Sequence, residues 1–333
     1  MKVEKKKKLT IVKIVIPIVI SFYLIGGILS SFFVNMVLNK VSTSSISILE
    51  KYPNTVFKTR SDYPSLENRT EHVFKSGKNK LYGYYYDVID EKGLIISSHG
   101  LNNLSDGSNA QMHDYFVNLG YDVFAIDLTA SGRSEGHSTI SLFQSAYDIK
   151  NAYQYLVDNN LMKDNLILVG HSWGGYGSAI VSKMGIKANK VITFSAYDGA
   201  ADLIFHEVKG KIGFLSYLIY PTIVLGNLIE YGDNAFISAA NEIKNNDTEY
   251  LVIQGEKDGI VPYGGTLYKK TLGFDNVTSL YLEGVAHDYP WLDLSSVQYI
   301  RSLNKKSKKE DVDLEKSSQI SPIVDAAIRE FLF

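Results

Sequence analysis

The 333-residue chain contains no cysteine, which excludes disulfide bonds, thiolate metal sites and a cysteine nucleophile. The chain also has no excess of either sign of charge, because 34 basic and 36 acidic residues leave a formal net charge of −2. This balance gives no electrostatic support for a nucleic-acid partner. The chain also lacks the HExxH, GxxxxGK and GxGxxG patterns that mark zinc, phosphate and dinucleotide sites. We therefore expect neither a metal nor an organic cofactor.

A long apolar segment lies close to the N-terminus. The lysine-rich stretch MKVEKKKK precedes residues 14–39, which carry no charge (IVIPIVISFYLIGGILSSFFVNMVLN). About 20 mostly apolar residues are enough to cross a membrane, whereas the apolar part of a signal peptide has about 7–15 and ends near a small-residue cleavage site. No such site is visible, and a buried core helix rarely follows so many lysines. The sequence therefore predicts an uncleaved transmembrane anchor over residues 14–39.

The lysines also predict the orientation of this anchor. Positive residues tend to stay on the cytoplasmic side of a membrane, so residues 1–13 are expected in the cytoplasm. Everything after the anchor would then lie outside the cell, as in a single-pass protein of the cell membrane. Residues 40–68 are polar, contain two prolines and are predicted to form a stalk. A folded extracellular domain is predicted over residues 69–333.

This domain alternates between strand-like and helix-like segments. TEHVFKS and KLYGYYYDV flank GKN, which predicts a β-hairpin. Six short β-branched runs follow and end in small or polar residues: GLIISSHG, YDVFAIDL, NLILVG, KVITFSA, TEYLVIQG and SLYLEG. Helix-like segments such as NAQMHDYFVNLG and YGSAIVSKMG lie between several of them. The alternation predicts an α/β protein with a mostly parallel sheet, whose functional residues follow the carboxyl ends of the strands.

The stretch GHSWGG, residues 170–175, joins one such strand to a helix-like segment. In a G-x-S-x-G turn the serine hydroxyl is exposed at the top of the turn, and small residues two positions before and after it avoid clashes. Ser172 is therefore a candidate nucleophile. The pattern is also compatible with a tight turn that carries a surface serine, so the interpretation depends on partners elsewhere in the chain.

A serine nucleophile needs a base, and the base needs an acid that orients it. His287 lies at the end of the last strand, in SLYLEGVAHDYP. Asp258 lies in a Gly/Pro-rich turn after an intervening strand, in TEYLVIQGEKDGIVPY, and Glu256 is a nearby alternative. The order serine, acid, histidine is that of serine hydrolases with a strand-turn-helix nucleophile. We therefore predict a catalytic triad of Ser172, Asp258 and His287.

The negative charge that develops during acyl transfer requires N–H donors. The backbone N–H of Trp173, directly after the serine, is one candidate donor. The backbone N–H of Leu101 is the second, because Leu101 lies in the loop after an early strand, in LIISSHGLNN. His99 in the same loop is expected to brace it rather than to take part in the chemistry.

These motifs resemble those of the α/β-hydrolase superfamily over roughly residues 69–333. GHSWGG is similar to the nucleophile elbow of that superfamily, QGEKDGIVP to its acid turn, GVAHDY to its histidine loop and SSHGLNN to its oxyanion loop. The chain looks most like the branch of monoacylglycerol lipases, lysophospholipases and serine aminopeptidases, although Thr129 and Ala130 replace the Arg-Gly usual there. The resemblance implies the α/β-hydrolase fold, with helices on both faces of the sheet and a small lid over about residues 198–246.

The sequence therefore predicts a membrane-anchored serine hydrolase that acts on a small-molecule substrate. A carboxylic ester with an acyl chain or another lipid-like group is favoured, because the lid contains the apolar stretch GFLSYLIYPTIVLGNLI. A peptidase with the same machinery is the alternative within the fold. A non-catalytic surface protein that uses the fold for binding is the alternative outside enzymes. The apolar stretch of the lid has a second interpretation as well, a second transmembrane span.

Overall fold

The computed structural model describes residues 12–29, 60–101, 105, 107, 109–136, 142–303, 313 and 315–333. A β-sheet of eight strands lies at the centre of this part of the chain. The strands are β1 (Thr70–Ser76), β2 (Asn79–Tyr86), β3 (Leu94–Ser98), β4 (Asp122–Asp127), β5 (Leu166–His171), β6 (Lys190–Phe194), β7 (Glu249–Lys257) and β8 (Val277–Ala286). Their order across the sheet is β1-β2-β4-β3-β5-β6-β7-β8.

The sheet is antiparallel at one edge and parallel elsewhere. Strands β1 and β2 form the hairpin that the GKN turn predicts, and β2 pairs antiparallel with β4. All neighbouring pairs in the rest of the sheet, in the spatial order β4-β3-β5-β6-β7-β8, are parallel. Parallel strands are covered by helices on both faces and are therefore apolar along their length, and β3, β4 and β5 are buried at every residue. The predicted mostly parallel sheet is confirmed.

Helices cover both faces of this sheet. The α-helices of the described residues are α1 (Val12–Leu29), α2 (Ala110–Asn118), α3 (Gln144–Asp158), α4 (Trp173–Ile180), α5 (Ala200–Ile212), α6 (Ser216–Tyr231), α7 (Ala239–Lys244), α8 (Leu267–Thr271), α9 (Leu294–Ser302) and α10 (Pro322–Leu332). Helices α3 and α4 cover one face with side chains such as Ile149 and Ala179. Helices α2 and α10 cover the other face with Phe116 and Ile328. Helices therefore cover both faces of the sheet, as predicted, and an apolar core lies on each face.

The last part of the predicted stalk, residues 40–68, packs on the domain. Pro64–Leu66 forms a 3-10 turn shortly before β1, and the side chain of Leu66 is completely buried. Burial of a leucine side chain stabilises such a contact by roughly 2 kcal/mol relative to an exposed side chain. The end of the stalk is thus part of the folded domain, while residues 40–59 lie outside the described residues.

Helix α1 begins two residues before the predicted anchor over residues 14–39 and includes residues 14–29 of it. Its length and composition allow it to cross a membrane, and no second helix in the described residues meets that test. The side chains of α1 are mostly exposed, whereas a core helix of the same composition would be buried. A signal sequence would pass the same test of length and apolarity. Residues 30–39 of the predicted anchor lie outside the described residues.

The predicted lid over residues 198–246 leaves the sheet after β6 and returns before β7. It contains α5, α6 and α7 and is called the cap below. Asp198 at its beginning accepts a hydrogen bond from the hydroxyl of Ser238, near its end, at 2.7 Å. Tyr176 of α4 donates a hydrogen bond to the carbonyl of Ile237 at 3.1 Å. The base of the cap is therefore attached to the helix that follows β5.

Candidate active site

Three of the predicted site residues directly follow the carboxyl ends of parallel strands. Strand β5 ends directly before Ser172, β7 ends directly before Asp258, and β8 ends directly before His287. Strands β5 to β8 are parallel neighbours, so their carboxyl ends lie together. The topology thereby brings Ser172 against His287, although 115 positions separate them in the sequence.

The three side chains form a continuous hydrogen-bonded series. His287 Nε2 lies 2.9 Å from Ser172 Oγ, and His287 Nδ1 lies 2.8 Å from Asp258 Oδ2. An ionised carboxylate only accepts hydrogen bonds, so Nδ1 carries the proton and Nε2 presents its lone pair to the serine hydroxyl. Ser172 and His287 are each 7% exposed, which leaves them largely shielded from water. This geometry allows the histidine to take the serine proton.

The backbone at Ser172 makes the sharp turn that GHSWGG predicts. Ser172 has φ 51° and ψ −109°, a combination that L-residues rarely adopt. Its N–H donates a hydrogen bond to the carbonyl of Phe194 in β6 at 2.8 Å. A Cβ at Gly170 would lie 2.4 Å from the carbonyl oxygen of Gly174, and a Cβ at Gly174 would lie 2.4 Å from that of Ser98. Both glycines are required because backbone atoms, which cannot move aside, occupy this space.

Asp258 is held in place by several donors. Its Oδ1 accepts hydrogen bonds from the N–H groups of Ile260 and Val261, each at 2.9 Å, and its Oδ2 accepts one from Gln254 at 2.9 Å. Burial raises the pKa of Asp258, but the hydrogen bond and charge of His287, together with the donors, outweigh burial and hold the pKa below its usual value. Asp258 is therefore ionised at neutral pH and oriented towards the histidine.

Glu256, the alternative acid in the same turn, has a different partner. Its Oε2 accepts a hydrogen bond from the backbone N–H of Gly284 in β8 at 2.8 Å. That bond ties the end of β7 to the neighbouring strand. The hydrogen-bond geometry therefore favours Asp258 over Glu256 as the partner of His287.

The residues predicted to supply the oxyanion donors lie on two segments that meet at the serine. Trp173 is the first residue of α4, where a backbone N–H has no acceptor within the helix. Its indole is fully buried, and Nε1 donates a hydrogen bond to the carbonyl of Leu142 at 2.8 Å. A Cβ at Gly100 would lie 3.3 Å from Ser172 Cβ, so the loop that continues into Leu101 runs directly against the serine. The backbone N–H groups of Trp173 and Leu101 thus remain the candidate donors.

His99 connects the loop after β3 to its surroundings. Its Nδ1 donates a hydrogen bond to the carbonyl of Gly100 at 2.7 Å, and its Nε2 accepts one from the N–H of Leu128 at 3.1 Å. The carbonyl of His99 accepts a hydrogen bond from the N–H of Gly174 in α4 at 3.1 Å. The ring is buried and uses both nitrogens in these contacts. This environment fits the bracing role expected from the sequence.

His171 and Trp291 support the site in a way that no sequence pattern indicates. His171 Nε2 donates a hydrogen bond to the backbone carbonyl of His287 at 3.0 Å, and its ring packs edge-on against Trp291 with centroids 5.4 Å apart. Burial, together with the charge of the nearby His287, lowers the pKa of His171 to about 3, so the ring is neutral at neutral pH. The strand that carries the serine therefore also fixes the backbone of the histidine.

Two buried histidines predict a loss of stability in acid. Burial, together with the charge of neighbouring histidines, lowers the pKa of His171 and of His113 to about 3 each. Below about pH 6.5 the unfolded chain binds protons that the folded protein does not bind, so the free energy of unfolding falls as the pH falls. Between pH 7 and pH 5 each residue is expected to contribute a loss of about 2 kcal/mol. Denaturant titrations of the full chain in detergent at both pH values measure this loss.

The substitution His113→Gln isolates one of these contributions. His113 Nε2 lies 3.0 Å from Ser97 Oγ, and glutamine at this position does not titrate. The variant is expected to lose about 2 kcal/mol less stability than the parent between pH 7 and pH 5, whatever its stability at pH 7. An unchanged pH dependence would mean that His113 binds its proton equally in the folded and unfolded states.

The fold and the site together define a class of protein. A serine follows β5 on a sharp strand-to-helix turn, an acid follows β7, and a histidine follows β8. A mostly parallel sheet with this chain order is the α/β-hydrolase fold. The chain has that fold, and its resemblance to the α/β-hydrolase superfamily is confirmed. No group of three or more His, Asp or Glu side chains suited to a metal ion occurs within the described ranges.

Sequence comparison matches part of the chain to a known family. Residues 89–231, less than half of the chain, match the model of a family described as serine aminopeptidase, S33. The matched region includes Ser172 and ends at the last residue of α6, before Asp258 and His287. No curated protein sequence matches this chain.

Solved structures share the fold over most of the chain. The esterase Pf2001 from Pyrococcus furiosus is 17% identical with a TM-score of 0.53, and the similarity covers 71% of this chain and 90% of that protein. Est1E from Butyrivibrio proteoclasticus, solved with ferulic acid bound, is 16% identical with a TM-score of 0.53, over 78% of this chain and 98% of Est1E. The structural similarity establishes a common fold, and at identities this low it leaves the substrate of this protein open.

Proposed function

We propose that this protein is a membrane-anchored serine hydrolase that cleaves carboxylic esters through an acyl-enzyme. The observation that carries the proposal is the hydrogen-bonded series from Ser172 through His287 to Asp258, with distances of 2.9 and 2.8 Å. The strained backbone at Ser172 supports it further, because such strain persists only where the surroundings enforce it, and it concentrates at functional sites.

In the proposed reaction, Ser172 Oγ attacks the acyl carbonyl carbon while His287 Nε2 takes the hydroxyl proton. Asp258 accepts the Nδ1 hydrogen bond and stabilises the imidazolium that forms. The backbone N–H groups of Leu101 and Trp173 donate to the oxyanion of the tetrahedral intermediate. Collapse of this intermediate releases the alcohol, which receives the proton from His287. Water then attacks the acyl-enzyme with the same histidine as base, which releases the acid and restores the serine.

The cap supports an ester with an acyl chain or another lipid-like group. Phe214, Leu215 and Tyr217 expose apolar surface around the start of α6, and an apolar cap suits an apolar substrate better than a charged peptide. The esterases that share the fold are consistent with this choice. The match to a serine aminopeptidase family favours the second candidate, a peptidase that uses the same residues.

A substrate panel separates these functions. The full chain in detergent is assayed with p-nitrophenyl esters of increasing acyl length and with aminoacyl-anilides, and the variant Ser172→Ala measures contaminating activity. We expect hydrolysis of the esters that Ser172→Ala lacks, with a preference for longer acyl chains. Faster cleavage of the anilides would overturn the ester assignment in favour of a peptidase. Hydrolysis of neither class would favour a non-catalytic binding protein.

The proposed anchoring has its own test. Helix α1 is apolar and mostly exposed, as expected of a helix that is solvated by lipid. A C-terminally tagged chain is expected to stay with membranes after a carbonate wash and to lose its tag to protease added outside intact cells. Release by carbonate would contradict the anchor, and protection of the tag would reverse the proposed topology.

A further inference from the structure

Helix α1 is in close contact with helix α6 of the cap. Gly27 is the only buried residue of α1, whereas its large apolar side chains are exposed. A Cβ at Gly26 would lie 2.5 Å from Thr222 Cγ2, and a Cβ at Gly27 would lie 2.9 Å from Leu225 Cγ. Real Cβ atoms essentially never approach other atoms this closely. The two helices therefore pack at this separation because residues 26 and 27 have no side chains.

This contact gives the two adjacent glycines of α1 a physical role. Glycine destabilises a helix relative to alanine, so two adjacent glycines within a helix carry a cost in stability. A close contact with another helix compensates for that cost. In membranes, small residues allow helices to approach each other closely, and the resulting packing replaces the hydrophobic effect as the source of stability. Thr222, which faces Gly26, is itself only 4% exposed.

The surface of the cap beside this contact is apolar. Phe214 is 75% exposed, Leu215 48% and Tyr217 58%, and along the chain all three lie at most eight residues before Thr222. Lys209 Nζ donates a hydrogen bond to the hydroxyl of Tyr217 at 2.8 Å, so a charged group borders the apolar side chains. Tyrosine and lysine at the boundary of an apolar surface are typical of the interface between lipid and water.

We propose that the cap enters the outer leaflet of the bilayer beside the anchor, with α6 packed against α1 through Gly26 and Gly27 and with the apolar side chains around Phe214 in the same leaflet. This inference rests on the proposed anchoring of α1. A helix that is apolar on all sides is surrounded by lipid when it spans a membrane. A cap helix packed against it is therefore in contact with that lipid. The base of the cap is attached to α4 next to Ser172 through Tyr176 and Ile237. An ester with an acyl chain would therefore reach the serine from the membrane.

Disulfide trapping tests the contact between the helices. Because the chain has no cysteine, Gly26→Cys combined with Thr222→Cys provides the only two thiols. The expected Cβ of residue 26 lies 3.2 Å from Thr222 Cβ, close to the separation of about 3.5–4.5 Å in disulfides. Mild oxidation of the full chain in its membrane is expected to remove both thiols from maleimide labelling. The matched pair Ile28→Cys with Thr222→Cys, on the opposite side of α1, is expected to stay reduced.

Fluorescence quenching tests the position of the cap on the bilayer. Phe214→Cys carries an NBD label in the full chain reconstituted into vesicles with doxyl-labelled lipids. Ile89→Cys is the control, because Ile89 is 91% exposed and precedes β3. It therefore lies towards the amino ends of the parallel strands, whereas Ser172 follows a carboxyl end. We expect strong loss of fluorescence at position 214 and little at position 89.

The outcomes separate this inference from the anchoring on which it rests. A chain that does not float with the vesicles overturns both. A chain that floats, but whose label at position 214 is quenched no more than the label at position 89, overturns the docking of the cap and leaves the anchor intact. A Gly26→Cys and Thr222→Cys pair that stays reduced as long as its control overturns the packing of α6 on α1.

Discussion

Replacing Ser172 with alanine is expected to lower kcat/KM for p-nitrophenyl ester hydrolysis by about 10⁴-fold or more. The variant removes the atom that attacks the carbonyl, while binding and the oxyanion donors remain. Steady-state kinetics of the full chain in detergent measure the loss. Without the nucleophile, the remaining groups of such sites accelerate the reaction only about 10³–10⁴-fold over the uncatalysed reaction in water. Activity within about tenfold of the parent would therefore contradict the nucleophilic role of Ser172.

The control for this variant is its stability. Alanine keeps the Cβ of Ser172 and adds no atom to the turn, so the midpoint of thermal unfolding is expected to stay within a few degrees of the parent. His287→Ala is expected to lose a similar amount of activity. Residues that act as a unit are not additive, so the double variant should be about as inactive as either single one. An additional loss of several orders of magnitude in the double variant would mean that the two residues act independently.

The substitution Asp258→Asn is expected to reduce kcat by about 10⁴-fold, although it changes only one side-chain atom. The neutral amide no longer stabilises the imidazolium form of His287. It can also donate a hydrogen bond to Nδ1, which would place the proton on Nε2, where the serine hydroxyl needs an acceptor. Steady-state kinetics of the full chain with a p-nitrophenyl ester measure the loss.

Glu256→Gln provides a matched control two residues earlier. The amide of glutamine retains a carbonyl oxygen that can accept the hydrogen bond from the N–H of Gly284. Its activity is expected to stay within about tenfold of the parent, because the carboxylate of Glu256 bonds to the backbone of Gly284, whereas Asp258 bonds to His287. A large loss in Glu256→Gln together with a small loss in Asp258→Asn would reverse the assignment of the acid.

Much of the fold was predictable from local patterns. Runs such as NLILVG and KVITFSA are β-branched, short and followed by small residues, which indicates buried parallel strands. The candidate site was predictable for a related reason. Ser172, Asp258 and His287 each follow such a run, and parallel strands bring their carboxyl ends together at one edge of the sheet. Chain order then limited the choice of acid and base.

Contacts between distant elements were not predictable. Leu66 is one apolar residue in a polar stretch, so no periodic pattern indicates that it is buried. The hydrogen bond from His171 to the carbonyl of His287 joins residues 116 positions apart, and the sequence shows His171 only as a variable position of the turn. The two glycines of α1 read as an ordinary part of an apolar helix until the cap helix is seen against them.

The most direct test of the central claim is to map the site of fluorophosphonate modification in the full chain by mass spectrometry. A serine activated by a histidine displaces fluoride from phosphorus, whereas ordinary serines do not react. The account predicts a single adduct on Ser172, its absence after heat denaturation and no labelling of Ser172→Ala. An unlabelled protein, an adduct on another serine or equal labelling of Ser172→Ala would contradict the assignment of this protein as a serine hydrolase.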